Sequence, residues 1–280
     1  MHTSLKSRIS FLAVVVSVLF FNACSLERQY AFSYVDAVKK DSIPVYFMGA
    51  DYLFKINATY QENPALTETE NYIAAIDSAK LLKAVNDSLV IENYNNSFRI
   101  SLKKMGYKVY EGDQLSDFIA VKKPGFILSI TQLEIEEDTF SITDSETFGD
   151  LIYYQQFYLT TVNLNSWVEF SSMNDSSKEP DVFYNTNQIV DRVDGFFYED
   201  IRDNSKIKYS YTKYNITPGY VANLATVCGR IHMENIFDYW MNEYIMARLP
   251  SHNPEYIDYY HYNSATNKLS VSKDDKAIKL

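Results

Sequence analysis

Cysteine is almost missing from this chain: 280 residues contain two, Cys24 and Cys228. With one cysteine beyond the N-terminal stretch, a disulfide-stapled scaffold is excluded and stability rests on a hydrophobic core. Glycine is scarce at eight residues. There is no Gly-x-Ser-x-Gly elbow, phosphate loop or dinucleotide fingerprint, so the usual hydrolase and nucleotide-binding devices are absent. Basic charge is in deficit, with 26 Lys+Arg against 36 Asp+Glu and a net charge of −10. That balance excludes a nucleic-acid binder, which needs a basic footprint to displace counterions from phosphate. Beyond residue 24 no apolar run approaches the ~18 residues of a spanning helix. What the sequence does have is apolar and aromatic bulk: 46% hydrophobic residues, 24 Tyr, 17 Phe, Trp167 and Trp240. This excludes a disordered chain. A chain of this size buries roughly 70–75% of its unfolded surface, enough for one or two cored domains.

The N-terminus carries an address. Lys6 and Arg8 precede Ile9 to Phe21, an apolar run broken only by Ser10 and Ser17, which is the length of a secretory h-region rather than of a transmembrane helix. Phe21-Asn22-Ala23-Cys24 follows. This segment resembles the lipobox of bacterial outer-membrane lipoproteins, in which the chain is cut before a cysteine that carries diacylglycerol. The resemblance implies removal of residues 1–23 and lipidation of Cys24. The remaining chain has 24 basic and 36 acidic side chains, a net charge of −12. Two or three acyl chains on one residue hold a protein stably at a bilayer. Ser25 follows the cysteine where an inner-membrane retention signal would place Asp, and Ser25-Leu26-Glu27-Arg28 holds a single acid. The resemblance therefore implies an outer-membrane anchor with the body facing the periplasm.

Along the mature chain, residues 24–41 read as the lipidated end and a spacer without clean periodicity, residues 42–250 as a single domain, and residues 251–280 as an aromatic C-terminal tail. Ile43 to Met48 is rich in strand formers, with Pro44 suited to a strand start or edge. Glu70 to Met105 has helical spacing, notably Val90, Tyr94, Phe98, Leu102 and Met105, and Gly106 supplies the stop. Phe126 to Ile135 is the clearest strand: its first half is apolar on both faces, and its second half alternates Leu133 and Ile135 against Gln132, Glu134 and Glu136. Asp138 to Asp150 reads as a polar loop. Tyr153 to Phe170 and Val182 to Val193 read as an antiparallel hairpin across a turn at Ser171 to Pro180, and Ile207 to Tyr214 as a further strand. Thr217-Pro218 starts a helix that runs to Leu249. Lys268 to Leu280 reads as frayed. The predicted fold class is α+β, a mostly antiparallel sheet with an early helix and a long C-terminal helix packed on it.

Candidate sites follow residue type. His232, His252 and His261 are the histidines of the mature chain. Grouping His252 and His261 with Asp258 matches no closed zinc motif, so no metal or cofactor is expected. Cys228 lies in a helical apolar stripe, where free cysteine behaves as a small hydrophobe, although His232 one turn on would stand near it as a base. Glu134, Glu136, Glu137 and Asp138, with Asp144, could pair for acid–base chemistry, but acids at a strand's exit commonly form a solvated edge. Tyr153, Tyr154, Phe157 and Tyr158 read as core of the hairpin. Tyr256, Tyr259, Tyr260 and Tyr262, crowded into the tail, dock either back onto the body or onto a partner. They are the candidate partner contacts, because tyrosine combines apolar area with a water-tolerant hydroxyl. The functional expectation is a non-enzymatic, membrane-anchored accessory or assembly factor that binds other envelope proteins. The alternative is a glycan- or lipid-binding module using exposed aromatics.

Overall fold

The fold is built around one strand pair of unusual length. A computed structural model describes residues 26–173, 179–203, 205–249, 258–272 and 278–280. In it, β4 (Phe126–Phe148) and β5 (Leu151–Ser172) run antiparallel from end to end. Beside β4 lie β1 (Pro44–Met48) and β2 (Phe54–Asn57), placed one after the other on the same edge and both parallel to it. Beyond β1 comes β3 (Lys108–Tyr110), also parallel. On the other side, β6 (Asp181–Val190) pairs antiparallel with β5, and β11 (Ile278–Lys279) pairs antiparallel with β6.

The architecture is a mix of α and β, and the main sheet is mixed rather than mostly antiparallel. The cause is the helical crossovers. α2 (Glu68–Ser78) and α3 (Asp87–Met105) return the chain from β2 to β3, and α4 (Leu115–Ala120) returns it from β3 to β4. Crossovers of that kind leave successive strands parallel. Strands of three to five residues are too short for their periodicity to reveal direction.

Hydrophobic alternation on β4 changes parity halfway. Leu128 and Ile130 face the helices, then Leu133 and Ile135 do so, because the register slips between Ile130 and Gln132. One extra residue in the strand switches which face the following side chains take, so Leu133 and Ile135 join Leu128 and Ile130 on the helix side. On β5, Val162, Leu164, Val168 and Phe170 point the same way. Onto this layer pack α3, through Tyr94, Phe98, Leu102 and Met105, and α5 (Pro218–Met246), through Val221, Ala225, Met233, Ile236, Phe237 and Met241. The two helices approach closely at Gly229, where an added Cβ would run into the Tyr94 carbonyl. Asn93 donates to the Ala222 carbonyl at 2.9 Å and Ser97 to the Thr226 carbonyl at 2.6 Å.

Several sequence expectations are corrected. Residues 26–41 are a helix, α1 (Leu26–Asp41), whose Ala31, Val35 and Val38 enter the core. Glu70 to Met105 is divided between two helices. A Thr67–Glu70 capping box starts α2, and the Asn86 side chain accepts the Leu89 N–H at 3.1 Å to start α3. Asp138 to Asp150 is strand nearly throughout, turning at Gly149 with φ +62°. Val193 leaves the hairpin for β7 (Arg192–Asp200), which pairs with β8 (Lys206–Tyr214) as a separate two-stranded sheet. α5, of 29 residues, does not close the chain. β9 (Tyr259–Asn263) and β10 (Lys268–Ser272) form a hairpin after it, and β11 joins the main sheet, so the described part of the tail is ordered pairing rather than fraying. The α5 side chains fix this hairpin: Asn242 bonds both the N–H and the carbonyl of Tyr260, and Asp238 accepts the Tyr262 N–H at 2.8 Å. One helix face thus supplies the partners a neighbouring strand would give.

Candidate functional site

Of the proposed sites, Cys24, Tyr256 and His252 lie outside the described residues. Tyr260 and Tyr262 are 3% and 2% exposed and belong to the core. They are corrected as partner contacts, for they dock back onto the body: the Tyr262 ring lies 5.5 Å from that of Phe237, and the Tyr260 main chain bonds to Asn242. Tyr262 is further held by the Lys39 ammonium at 2.7 Å. Tyr259 is half-buried, its ring tilted against that of His261 at 5.1 Å.

The other chemical candidates resolve into structural roles. Cys228 is fully buried and its thiol is pushed up to about 12 by desolvation, the reverse of what a nucleophile needs. The His232 Nδ1 is shared by the Tyr94 and Ser166 hydroxyls at 2.8 and 2.9 Å. Burial lowers that ring to about 3, so it is neutral. Glu137 accepts the N–H groups of Lys80, Leu81 and Leu82 at 2.8, 2.9 and 3.2 Å. Glu134 accepts from Asn165 at 2.9 Å and from Gln132 at 3.1 Å on the opposite face. These two carboxylates therefore hold the fold and do not converge. His261 Nδ1 meets Asp238 at 2.9 Å, and Asp238 is raised to about 6 by burial, with the His261 and Tyr262 bonds opposing. Among the described residues no group of three or more His, Cys, Asp or Glu side chains is placed to hold a metal ion.

What does stand out is the far half of the β4–β5 pair. Pairing with β2 ends at Glu137 and pairing with β6 ends at Thr161. From Asp138 to Thr160 the two strands therefore continue as an arm, roughly 35 Å long at about 3.4 Å per residue. Its two faces differ. On one, Phe157 is buried against Tyr209 and Tyr211 of β8 at ring separations of 5.5 and 5.0 Å. Tyr209 donates to Asp144 at 2.6 Å, and its hydroxyl is pushed up to about 12 by burial and then by that carboxylate. Gly195 leaves the space its ring occupies, since a Cβ there would sit 2.5 Å from it.

The other face carries Thr139, Ser141, Thr143, Ser145 and Thr147 on β4, and Ile152, Tyr154, Gln156, Tyr158 and Thr160 opposite them on β5. None of these ten is charged, in a chain of net charge −10. Ile152, Tyr154 and Tyr158 are 56%, 67% and 63% exposed. Of the four aromatics expected in the hairpin core, only Phe157 is buried; Tyr153 is intermediate and the other two stand in solvent. The hydroxyl ladder was missed because Ser and Thr mixed with acids look like a loop, although their strict alternation with Phe140, Ile142 and Phe148 is a strand signal.

A second aromatic site lies between β2 and α2, a cleft of about 650 Å³ with Tyr52, Phe54 and Tyr72 exposed around Glu68 and Asn71. Tyr52 and Phe54 meet edge to face at 4.8 Å. No helix among the described residues is long and apolar enough to cross a membrane. Comparison with protein-family models gives no match for this chain, and comparison with curated proteins gives none either.

Proposed function

We propose that this protein is a non-enzymatic, outer-membrane lipoprotein that uses its β4–β5 arm to bind another protein of the cell envelope. The observation that carries this reading is the uncharged face of the arm. A surface of exposed Tyr and Ile backed by a hydroxyl ladder is costly to leave in water. It offers rigid, low-entropy contact area that tolerates a partly wet interface. Lipid on Cys24 would confine the body to the bilayer boundary, raising the effective concentration of a modest binding face near a membrane partner. The periplasm-facing orientation rests on the single acid after Cys24. The alternative, a glycan-binding module, draws support from the Tyr52–Phe54–Tyr72 cleft, where rings stand beside carboxylate and amide groups.

The test is site-specific photo-crosslinking in intact cells. A crosslinker at position 154 or 158 should give one discrete adduct in the membrane fraction, and one at Lys122, off the arm, should not. Tyr154→Asp with Tyr158→Asp should abolish the adduct with the melting temperature unchanged, and Cys24→Ser should move the body to the soluble fraction. Equal adducts from both positions, or fractionation indifferent to Cys24, would remove the basis of the reading.

A further inference from the structure

The strongest unassigned feature is the outer edge of β6. There β11 pairs with Phe183 and Tyr184, and the Leu280 N–H donates to the Val182 carbonyl at 2.9 Å. Among the described residues no strand pairs with that edge from Asn185 to Val190. In an antiparallel ladder, main-chain groups alternate between the two neighbours. Val182 bonds outward to the β11 segment. Ile189 turns inward, its carbonyl accepting the Thr161 hydroxyl at 3.1 Å, and Asp191 likewise donates its N–H to the Thr160 carbonyl at 2.8 Å. Thr186, Gln188 and Val190 therefore present N–H and C=O groups outward. Beside this row runs a groove of about 520 Å³ between β6 and the first half of α5, lined by Ile189, Val190, Ile216, Leu224 and Val227, and by no charged residue.

We propose that this edge and groove form a docking site for an extended, uncharged segment of a partner polypeptide, taken up as an added strand. The ladder selects the chemistry: alternating donors and acceptors at strand spacing are matched by another extended main chain, and β11 already occupies the same edge in that manner. The groove selects the side chains. Residues of the incoming strand opposite Asn187 and Ile189 fall on the α5 side, where apolar groups fit against Leu224 and Val227. Lys273, Asp274, Asp275 and Lys276 precede β11 in sequence, so the amides of Thr186, Gln188 and Val190 in the free protein report directly whether the edge is open. This site is separate from the β4–β5 arm, so either reading can fail without the other.

The experiment uses the full chain and a fluorescein-labelled, amidated peptide of alternating threonine and valine. Hydrogen exchange on the free protein should show fast amides at Thr186, Gln188 and Val190, slowed by the peptide. Anisotropy should give saturable binding, weakened at least roughly tenfold (about 1.4 kcal/mol) by N-methylation of alternate peptide amides. Val227→Glu, at a position already 42% exposed, should weaken it by a similar factor with the melting temperature unchanged. The proposal is overturned if the three amides are already slow in the free monomer or if the N-methylated peptide binds equally well. It is also overturned if no binding saturates by about 1 mM, or if the amides slow only as the chain dimerises.

Discussion

Glu137 is a buried carboxylate, 3% exposed, whose two oxygens serve three consecutive main-chain N–H groups ahead of α3. Asp191 plays the same part elsewhere. It accepts the Thr160 and Ile216 N–H groups at 3.0 and 2.8 Å and pairs with Lys213 at 3.0 Å. Burial alone would raise its pKa, yet those amides and the ammonium hold it below the ordinary carboxylate range. Removing such an acceptor leaves buried donors without partners, which costs more than the bonds themselves contribute. Glu137→Ala should therefore destabilise the protein by about 3 kcal/mol in urea unfolding. Glu137→Gln, which keeps one accepting oxygen, should cost visibly less; an equal loss would mean that the negative charge matters more than the acceptor count.

At the scale of elements, the apolar core contains no residue of the arm between 138 and 160 and none of β7 or β8. These two hairpins support each other through Phe157, Tyr209, Tyr211 and Phe197. Replacing Ser141 to Tyr158 with an Asn-Gly turn, which joins the paired residues Phe140 and Leu159, should leave cooperative unfolding of the body intact. The melting temperature should fall by less than about 5 °C, with loss of the crosslinked adduct. A collapse of the body would show that the arm is structural. Legibility in the sequence followed the strength of local signals. α5 was readable from Thr217-Pro218, and the β5–β6 pairing from its apolar alternation. α1 was not, because only Ala31, Val35 and Val38 are fully buried among polar neighbours. The β5 side of the arm was legible as strand, but its β4 side was not, because hydroxyls and acids there alternate with only a few apolar residues. Whether Tyr260 and Tyr262 dock on the body or on a partner was not legible, because the groups that hold them, Asn242 and Asp238, come from a preceding helix and pair with their main chain.

Across the whole molecule, two proton-linked groups on α5 oppose each other. The folded-state value of His232 is lowered to about 3 from 6.5. The unfolded chain therefore takes up this proton first, and stability is lost as pH falls below 6.5 toward 3. Asp238 is raised to about 6 from 3.8, so the folded chain takes up that proton first and gains stability as pH falls from 6 toward 3.8. Between about pH 6 and 3.8 the two slopes cancel. Relative to the parent, His232→Gln should gain stability on going from pH 7 to 4.5 and Asp238→Asn should lose it, each by about 1–2 kcal/mol in urea unfolding. Parallel shifts in both variants would show that other groups control the acid response.

The same helix also decides how a tug on the N-terminal end is borne. α1 is held on α5 by Ala31, Val35 and Val38 and by the Tyr34 ring, 5.3 Å from both Phe237 and Tyr244, and the Lys39 ammonium near its far end clasps Tyr262 and Asn267 of the closing hairpin at 2.7 and 3.0 Å. Tension entering at Leu26 would peel that helix away turn by turn and reach the clasp last. The long strand pair beneath, joined along its whole length, would stay unloaded; if the proposed lipid holds the chain, the helix would be a strain relief between leash and surface.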